Sequence, residues 1–203
     1  MLGDLFEYWA GDDDLDDALN ASVAKAFSGL SSRGTPIYFM HGNRDVLVGR
    51  DFARRAGAEL LEDPALRDLY GTPTLLMHGD TLCTDDVDYQ KFRAYARDPQ
   101  RQARFLALPL PARRAEMGKL RAQSERAKAH KTLEIMDVNS SAVEDAFRAA
   151  GYPPRLIHGH THRPARHEHL VDGRHCERWV LADWYERGSY LRVDAGGCTV
   201  ASL

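Results

Sequence analysis

The sequence predicts an α/β fold with a helical insertion, and three observations carry that prediction. Short apolar runs at 36–40, 72–77 and 155–157 each end at a histidine beside a glycine, as buried strands running into tight loops do. Stretches with apolar residues at helical spacing lie between them. In the last quarter, 179–181, 190–193 and 199–200 alternate apolar and polar residues between glycine turns, the pattern of antiparallel strands.

Taken in order, residues 16–30 predict a helix, with Leu19, Val23, Phe27 and Leu30 on one face. A strand at 36–40 leads to His41-Gly42, a short helix follows at 50–56, and Leu60-Leu61 suggests another brief strand. The strand at 72–77 delivers His78-Gly79. A helix is expected at 86–97, and Pro99, Pro109 and Pro111 then break the chain into two or three helices. Helices over 112–129 and 133–150 complete this region, and the strand at 155–157 feeds His158 to His162. With 203 residues and 43% hydrophobic content, the chain can bury one substantial core. The expected organisation is one domain over 1–203, with a helical insertion at about 88–133.

The net charge of −3 conceals an asymmetry. Between Lys91 and Lys131 there are twelve Lys or Arg residues against Asp98, Glu116 and Glu125, whereas Asp12, Asp13, Asp14, Asp16 and Asp17 crowd the opening segment. A basic run near a metal site favours an anionic substrate. Three cysteines, Cys83, Cys176 and Cys198, without CxxC spacing argue for a reducing compartment and against a disulfide framework. The start shows no signal-peptide pattern, and the most apolar stretch, 105–111, is too short to span a bilayer and holds two prolines. The expectation is a cytoplasmic protein that can touch a membrane surface.

Four strand-end loops carry ligand-capable residues: Gly3-Asp4, Gly42-Asn43-Arg44-Asp45, His78-Gly79-Asp80 and His158-Gly159-His160-Thr161-His162. Alone, a Gly-Asp pair reads as a turn and a His-Gly pair as a strand end. Together, carboxylate, amide oxygen and imidazole suit a divalent ion such as manganese, iron or zinc. Alternate residues of an extended segment point the same way, which strengthens the histidine cluster.

In this order the motifs resemble those of the calcineurin-like metallophosphoesterases: DxH, GD, GNH/R-D, H and GHxH. Residues 3–7, 41–45, 78–86 and 135–139 resemble more closely the lipid A branch of that family, and this likeness covers nearly the whole chain. The resemblance implies a β-sandwich flanked by helices, with a helical lid. It also implies hydrolysis of a UDP-linked diacylglucosamine to UMP and the diacylated sugar 1-phosphate, with water attacking the α-phosphorus. Two manganese ions are implied, with Asp4 bridging them. Asn43, His78 and His160 would complete one ion, and His162 would belong to the other. Asn43, Arg44 and His160 would be catalytic, the planar guanidinium of Arg44 clamping phosphate. His158 falls outside this ligand set.

Substrate contacts implied by the resemblance are Asn43, Arg44, Asp86, Ser124, Lys128, Lys131 and His160, with lysine 128 standing where a polar amide is common. Ser124, Lys128 and Lys131 follow at steps of four and three and are expected on one helical face. Phe105, Leu106, Leu108, Leu110, Met117 and Leu120 suit either an acyl-chain chamber or a small core within the lid. The same surface suits anionic lipid, so a peripheral position on the inner membrane of a Gram-negative bacterium is expected. A monomer with no nucleic-acid partner is the accompanying expectation.

The family's Asp-x-His motif precedes the Gly-Asp motif, and this chain starts at the latter. The expectation is therefore that the N-terminal strand and helix are absent, that the second ion keeps only Asp4 and His162, and that hydrolysis is impaired. Competing readings are another nucleotide or nucleic-acid phosphoesterase of the same fold, or a non-catalytic module that binds lipid or nucleotide.

Overall fold

Asp17 opens helix α1 (Ala18–Ser31) by accepting a hydrogen bond from the Leu19 N–H at 3.0 Å, which satisfies one of the orphan donors of a helix start. The computed structural model describes residues 1–128, 131–132, 135–185 and 187–203, with the Lys128 side chain outside the described part. The chain forms two compact units. One comprises Met1, Gly3–Glu62 and Asp86–Leu133, and the other Leu2, Asp63–Asp85 and Glu134–Leu203.

In the first unit, β1 (Ile37–Met40) pairs in parallel with β2 (Ala58–Leu61), and α2 (Arg50–Ala56) connects them. Gly57 ends α2 in the left-handed conformation (φ 65°) that glycine adopts without a side-chain penalty. The core is aromatic: Phe6, Trp9, Phe39 and Phe52 are buried with α1 and α2 around them. Phe6 and Phe52 meet edge to face at 5.4 Å, an arrangement the ring quadrupoles favour. Gly49 offers no side chain to cap α2, and Asp12 does so from a distant segment. Its carboxylate accepts from the N–H groups of Gly49 (2.9 Å), Asp51 (2.7 Å) and Phe52 (3.1 Å).

The insertion belongs to this unit and forms three helices, α3 (Val87–Ala96), α4 (Pro99–Leu106) and α5 (Leu110–Lys128). Asp86 caps α3 through the Tyr89 N–H, and Asp98 caps α4 with Pro99 at its first turn. Neither α3 nor α4 holds a buried residue, and Phe92, Leu106 and Leu108 are each at least 40% exposed. Phe105, Leu110, Met117 and Leu120 are partly buried, whereas Leu106 and Leu108 are exposed. The acidic and basic runs meet here: Arg113, buried, pairs with Asp13 and the Ala10 carbonyl, and Arg114 pairs with Asp14. Two of the twelve positive charges are thus anchors for α5 rather than part of a substrate-facing field.

In the second unit, a mixed sheet runs in the order β3 (Ala65–Leu69), β4 (Thr72–Met77), β5 (Arg155–His158), β7 (Arg174–Val180), β6 (Ala165–Val171). The central pairs β4–β5 and β5–β7 are parallel, and the outer pairs β3–β4 and β6–β7 are antiparallel. Helix α6 (Ser140–Ala149) buries Val143 and Phe147 against Leu75, Leu156 and Val171. A separate hairpin, β8 (Ser189–Asp194) and β9 (Gly197–Ser202), completes the unit. Strands β3 and β6 were not legible in the sequence, because charged residues interrupt them and only one face of each is covered.

Two expectations are corrected. The helix expected over 133–150 starts only at Ser140, because the Asn139 side chain accepts from the Ala142 N–H and caps it there. Lys131 lies in a bend beyond α5, so it does not share a helical face with Ser124. The described α5 ends at Lys128, and residue 129 of the expected 112–129 helix lies outside the described residues. Among the described residues no helix is long and apolar enough to cross a membrane.

Candidate functional site

Loops at the carboxyl ends of parallel strands are where α/β folds build sites, because the backbone opens there while the strands stay rigid. In the second unit β4, β5 and β7 lie side by side, and their ends deliver His78, His158 to His162, and Asp183. The Gly159 N–H donates to the His78 carbonyl at 2.9 Å, and the Leu181 N–H donates to the His158 carbonyl at 2.8 Å. The three loops are therefore laced together by backbone bonds.

The rings of His78 and His160 come within 5.0 Å of each other at 69°. His78 is buried, and its Nδ1 lies 2.8 Å from the Leu2 carbonyl oxygen. A carbonyl only accepts, so the proton sits on Nδ1 and the lone pair on Nε2, the tautomer of a metal-ligating histidine. His160 and His162 both take positive φ, 66° and 55°, which is uncommon for residues with a Cβ and re-aims their side chains at successive turns. His162 Nδ1 lies 3.3 Å from Asp183 Oδ2, a carboxylate–histidine pair of the kind that orients a ligand. His158 is different. It is fully buried, both ring nitrogens are engaged, by the Gly159 carbonyl at 2.8 Å and Arg178 at 2.9 Å, and burial pushes its pKa down to about 4. It is a neutral structural imidazole.

In the first unit, Asp45 organises the other two loops. Fully buried, its carboxylate accepts from the N–H groups of Gly42 (2.8 Å), Leu5 (2.7 Å), Asp4 (3.2 Å) and Phe6 (3.3 Å). Asp4 in turn accepts from the Arg44 N–H at 2.9 Å. Gly42 is required by this closeness, since a Cβ there would sit 2.1 Å from Asp4 Oδ1 and 2.3 Å from its backbone nitrogen. The Arg44 side chain is only 9% exposed and reaches Glu7, which also takes Arg121 of α5 at 2.5 Å. Arg97, just past α3, donates to the carbonyls of His41 and Gly42 at 3.3 Å. Asn43 lies half-buried in this same loop.

The remaining expected residues are in the insertion or next to it. Lys131 Nζ lies 2.6 and 2.5 Å from the two carboxylate oxygens of Asp86, so these two are brought together as an ion pair. Ser124 is exposed on α5, and the Lys128 side chain is outside the described residues. Sequence reasoning missed Glu7, Asp183 and Arg178. Only Glu7 carried a signal, falling inside the 3–7 motif; the other two are single charged residues whose partners are distant in the chain.

The strand order and the imidazoles at its carboxyl edge define an α/β protein with histidines gathered on strand-end loops. No protein-family model matches the chain. A UDP-2,3-diacylglucosamine hydrolase of Aromatoleum aromaticum is 56% identical over 201 residues, covering 99% of this chain and 81% of the relative. Proteins of the same name from Stenotrophomonas maltophilia and Xanthomonas axonopodis pv. citri are 52% and 51% identical, each covering all of this chain and 84% of their own length. The chain belongs to the UDP-2,3-diacylglucosamine hydrolase family.

Proposed function

We propose that this chain hydrolyses the pyrophosphate bond of UDP-2,3-diacylglucosamine, yielding UMP and 2,3-diacylglucosamine 1-phosphate in lipid A synthesis. The observation that carries this reading is the identity of more than half over nearly the whole chain to hydrolases of that name. We further assign it the calcineurin-like architecture, with α3 to α5 as the lid.

Two manganese ions are the proposed cofactor; Asp4, Asn43, His78 and His160 would hold one and His162 would serve the other, and when bound they would supply a Lewis acid and an acidified water. The Nδ1–H tautomer of His78 and the Asp183 partner of His162 fit imidazoles prepared to bind a cation. Arg44 clamps the phosphate through its guanidinium, which stays charged at every working pH and offers paired donors to phosphate oxygens. Asp86, Ser124, Lys128 and Lys131 bind the UDP-sugar part. The exposed apolar residues of α3 and α4 take the acyl chains, and the basic residues around them hold the protein peripherally at the cytoplasmic face of an anionic inner membrane.

The test is turnover of UDP-2,3-diacylglucosamine with manganese in 18O-labelled water. UMP release with the label in UMP is expected, and label in the sugar phosphate would overturn attack at the α-phosphorus. No UMP release above background would overturn the reading itself.

A further inference from the structure

Arg178 lies on β7, only 6% exposed, with its guanidinium between two neighbouring strands. Its Nη1 is 2.9 Å from Nε2 of His158 on β5, and its Nε is 3.3 Å from Nε2 of His169 on β6. A guanidinium has only donors, so each imidazole must meet it with a lone pair. That places the His158 proton on Nδ1, which donates to the Gly159 carbonyl at 2.8 Å. Gly159 is then held at both of its polar groups: its carbonyl accepts from His158 and also from the Thr161 N–H at 2.8 Å, and its N–H donates to the His78 carbonyl at 2.9 Å.

The consequence falls on the next residue. The Gly159 carbonyl belongs to the peptide that leads into His160, and restraining it sets the direction from which His160 leaves the backbone. His160 has a φ of 66°, a conformation that costs a residue with a Cβ energy and that persists only where surrounding bonds enforce it. Gly79 makes room for the arrangement, since a Cβ there would lie 2.6 Å from His158 Nδ1.

We propose that Arg178 is a positioning residue. By holding His158 in its Nδ1–H tautomer it clamps the Gly159 peptide and aims His160 beside His78. The inference rests on the reading that His78 and His160 bind manganese.

The experiment uses the full chain with three changes: Arg178→Met, Arg178→Lys, and the double variant Arg178→Met with His158→Phe. The double variant replaces both buried partners by apolar groups of similar shape, so it retains the fold without the hydrogen bonds. Three quantities are read: the 15N imidazole resonances of His158 where it is present, manganese affinity from the free-ion EPR signal, and the melting temperature. Arg178→Met is expected to replace the single tautomer pattern with a mixture and to weaken manganese binding about tenfold, the scale of losing a ligand-orienting partner. Arg178→Lys, which keeps a donor, recovers most of both. The double variant keeps the wild-type melting temperature within a few degrees and still shows the weakened binding.

Wild-type manganese affinity in the double variant would overturn the proposal, as would an unchanged His158 tautomer in Arg178→Met. His160→Gln separates this from the underlying reading. If that change leaves manganese binding intact, the metal assignment fails; if it weakens binding while the double variant does not, only the role of Arg178 fails.

Discussion

Arg44 places its Nη1 2.8 Å from Oε1 and 2.9 Å from Oε2 of Glu7, so one guanidinium nitrogen straddles a carboxylate that Arg121 of α5 also contacts. Glu7 therefore carries two cations and ties the insertion to the loop of the Gly-Asn-Arg-Asp motif. Arg44→Lys would keep the charge but lose the planar fork. We expect UMP release to fall about 100-fold, the scale of removing one preorganised donor to developing charge. The melting temperature should move little. Undiminished turnover would show that a point charge suffices.

Asp45 and Gly42 define a second prediction. Asp45→Asn puts an amide donor among four backbone N–H groups, and each unsatisfied buried donor costs about 1–3 kcal/mol. A loss of stability of at least about 3 kcal/mol by urea unfolding is expected. Gly42→Ala would push Asp4 aside by steric overlap, and should lower manganese affinity more than it lowers stability.

The cap that Asp12 supplies to α2 makes a third. Asp12→Ala removes the acceptor for three N–H groups, and about 1–2 kcal/mol of stability should be lost. Asp12→Asn, which keeps one oxygen, should lose less. Equal losses would mean that charge matters more than acceptance.

Acid stability gives a fourth. Arg148 first, then the Tyr152 hydroxyl, hold the Asp172 pKa down to about 2. A carboxylate with a folded pKa below its unfolded one stabilises the fold above the unfolded value, near 4, and loses that contribution as pH falls toward 2. Unfolding followed from pH 5 to pH 2 should show a steeper decline for the unmodified chain than for Asp172→Asn. Parallel curves would count against the pairing of α6 with the β6–β7 turn.

Helix α2 and strand β4 were legible to the residue, because glycines bound the helix and a short apolar run ends at His78-Gly79. The metal-ligand candidates were legible for a related reason: glycine beside a histidine, asparagine or carboxylate at a strand end is a local pattern. Strand β6 was not, since Arg166, His167, Glu168 and His169 look like a polar loop until β7 pairs with them. The start of α6 was missed because the choice among Asn139 and its neighbours as cap is a competition that periodicity does not score.

By itself the sequence determined the α/β class, the motif residues Asp4, Asn43, Arg44, His78, His160 and His162, and the resemblance to a hydrolase family, because each motif is written in a run of a few residues. Only the tertiary structure decided which partner each charge takes. Arg113 and Arg114 pair with Asp13 and Asp14 across a hundred residues, Glu7 gathers Arg44 and Arg121, and Arg178 engages His158. Such partners are set by the close approach of segments remote in the chain, where hydrogen-bond geometry and burial, rather than local spacing, choose one pairing among many.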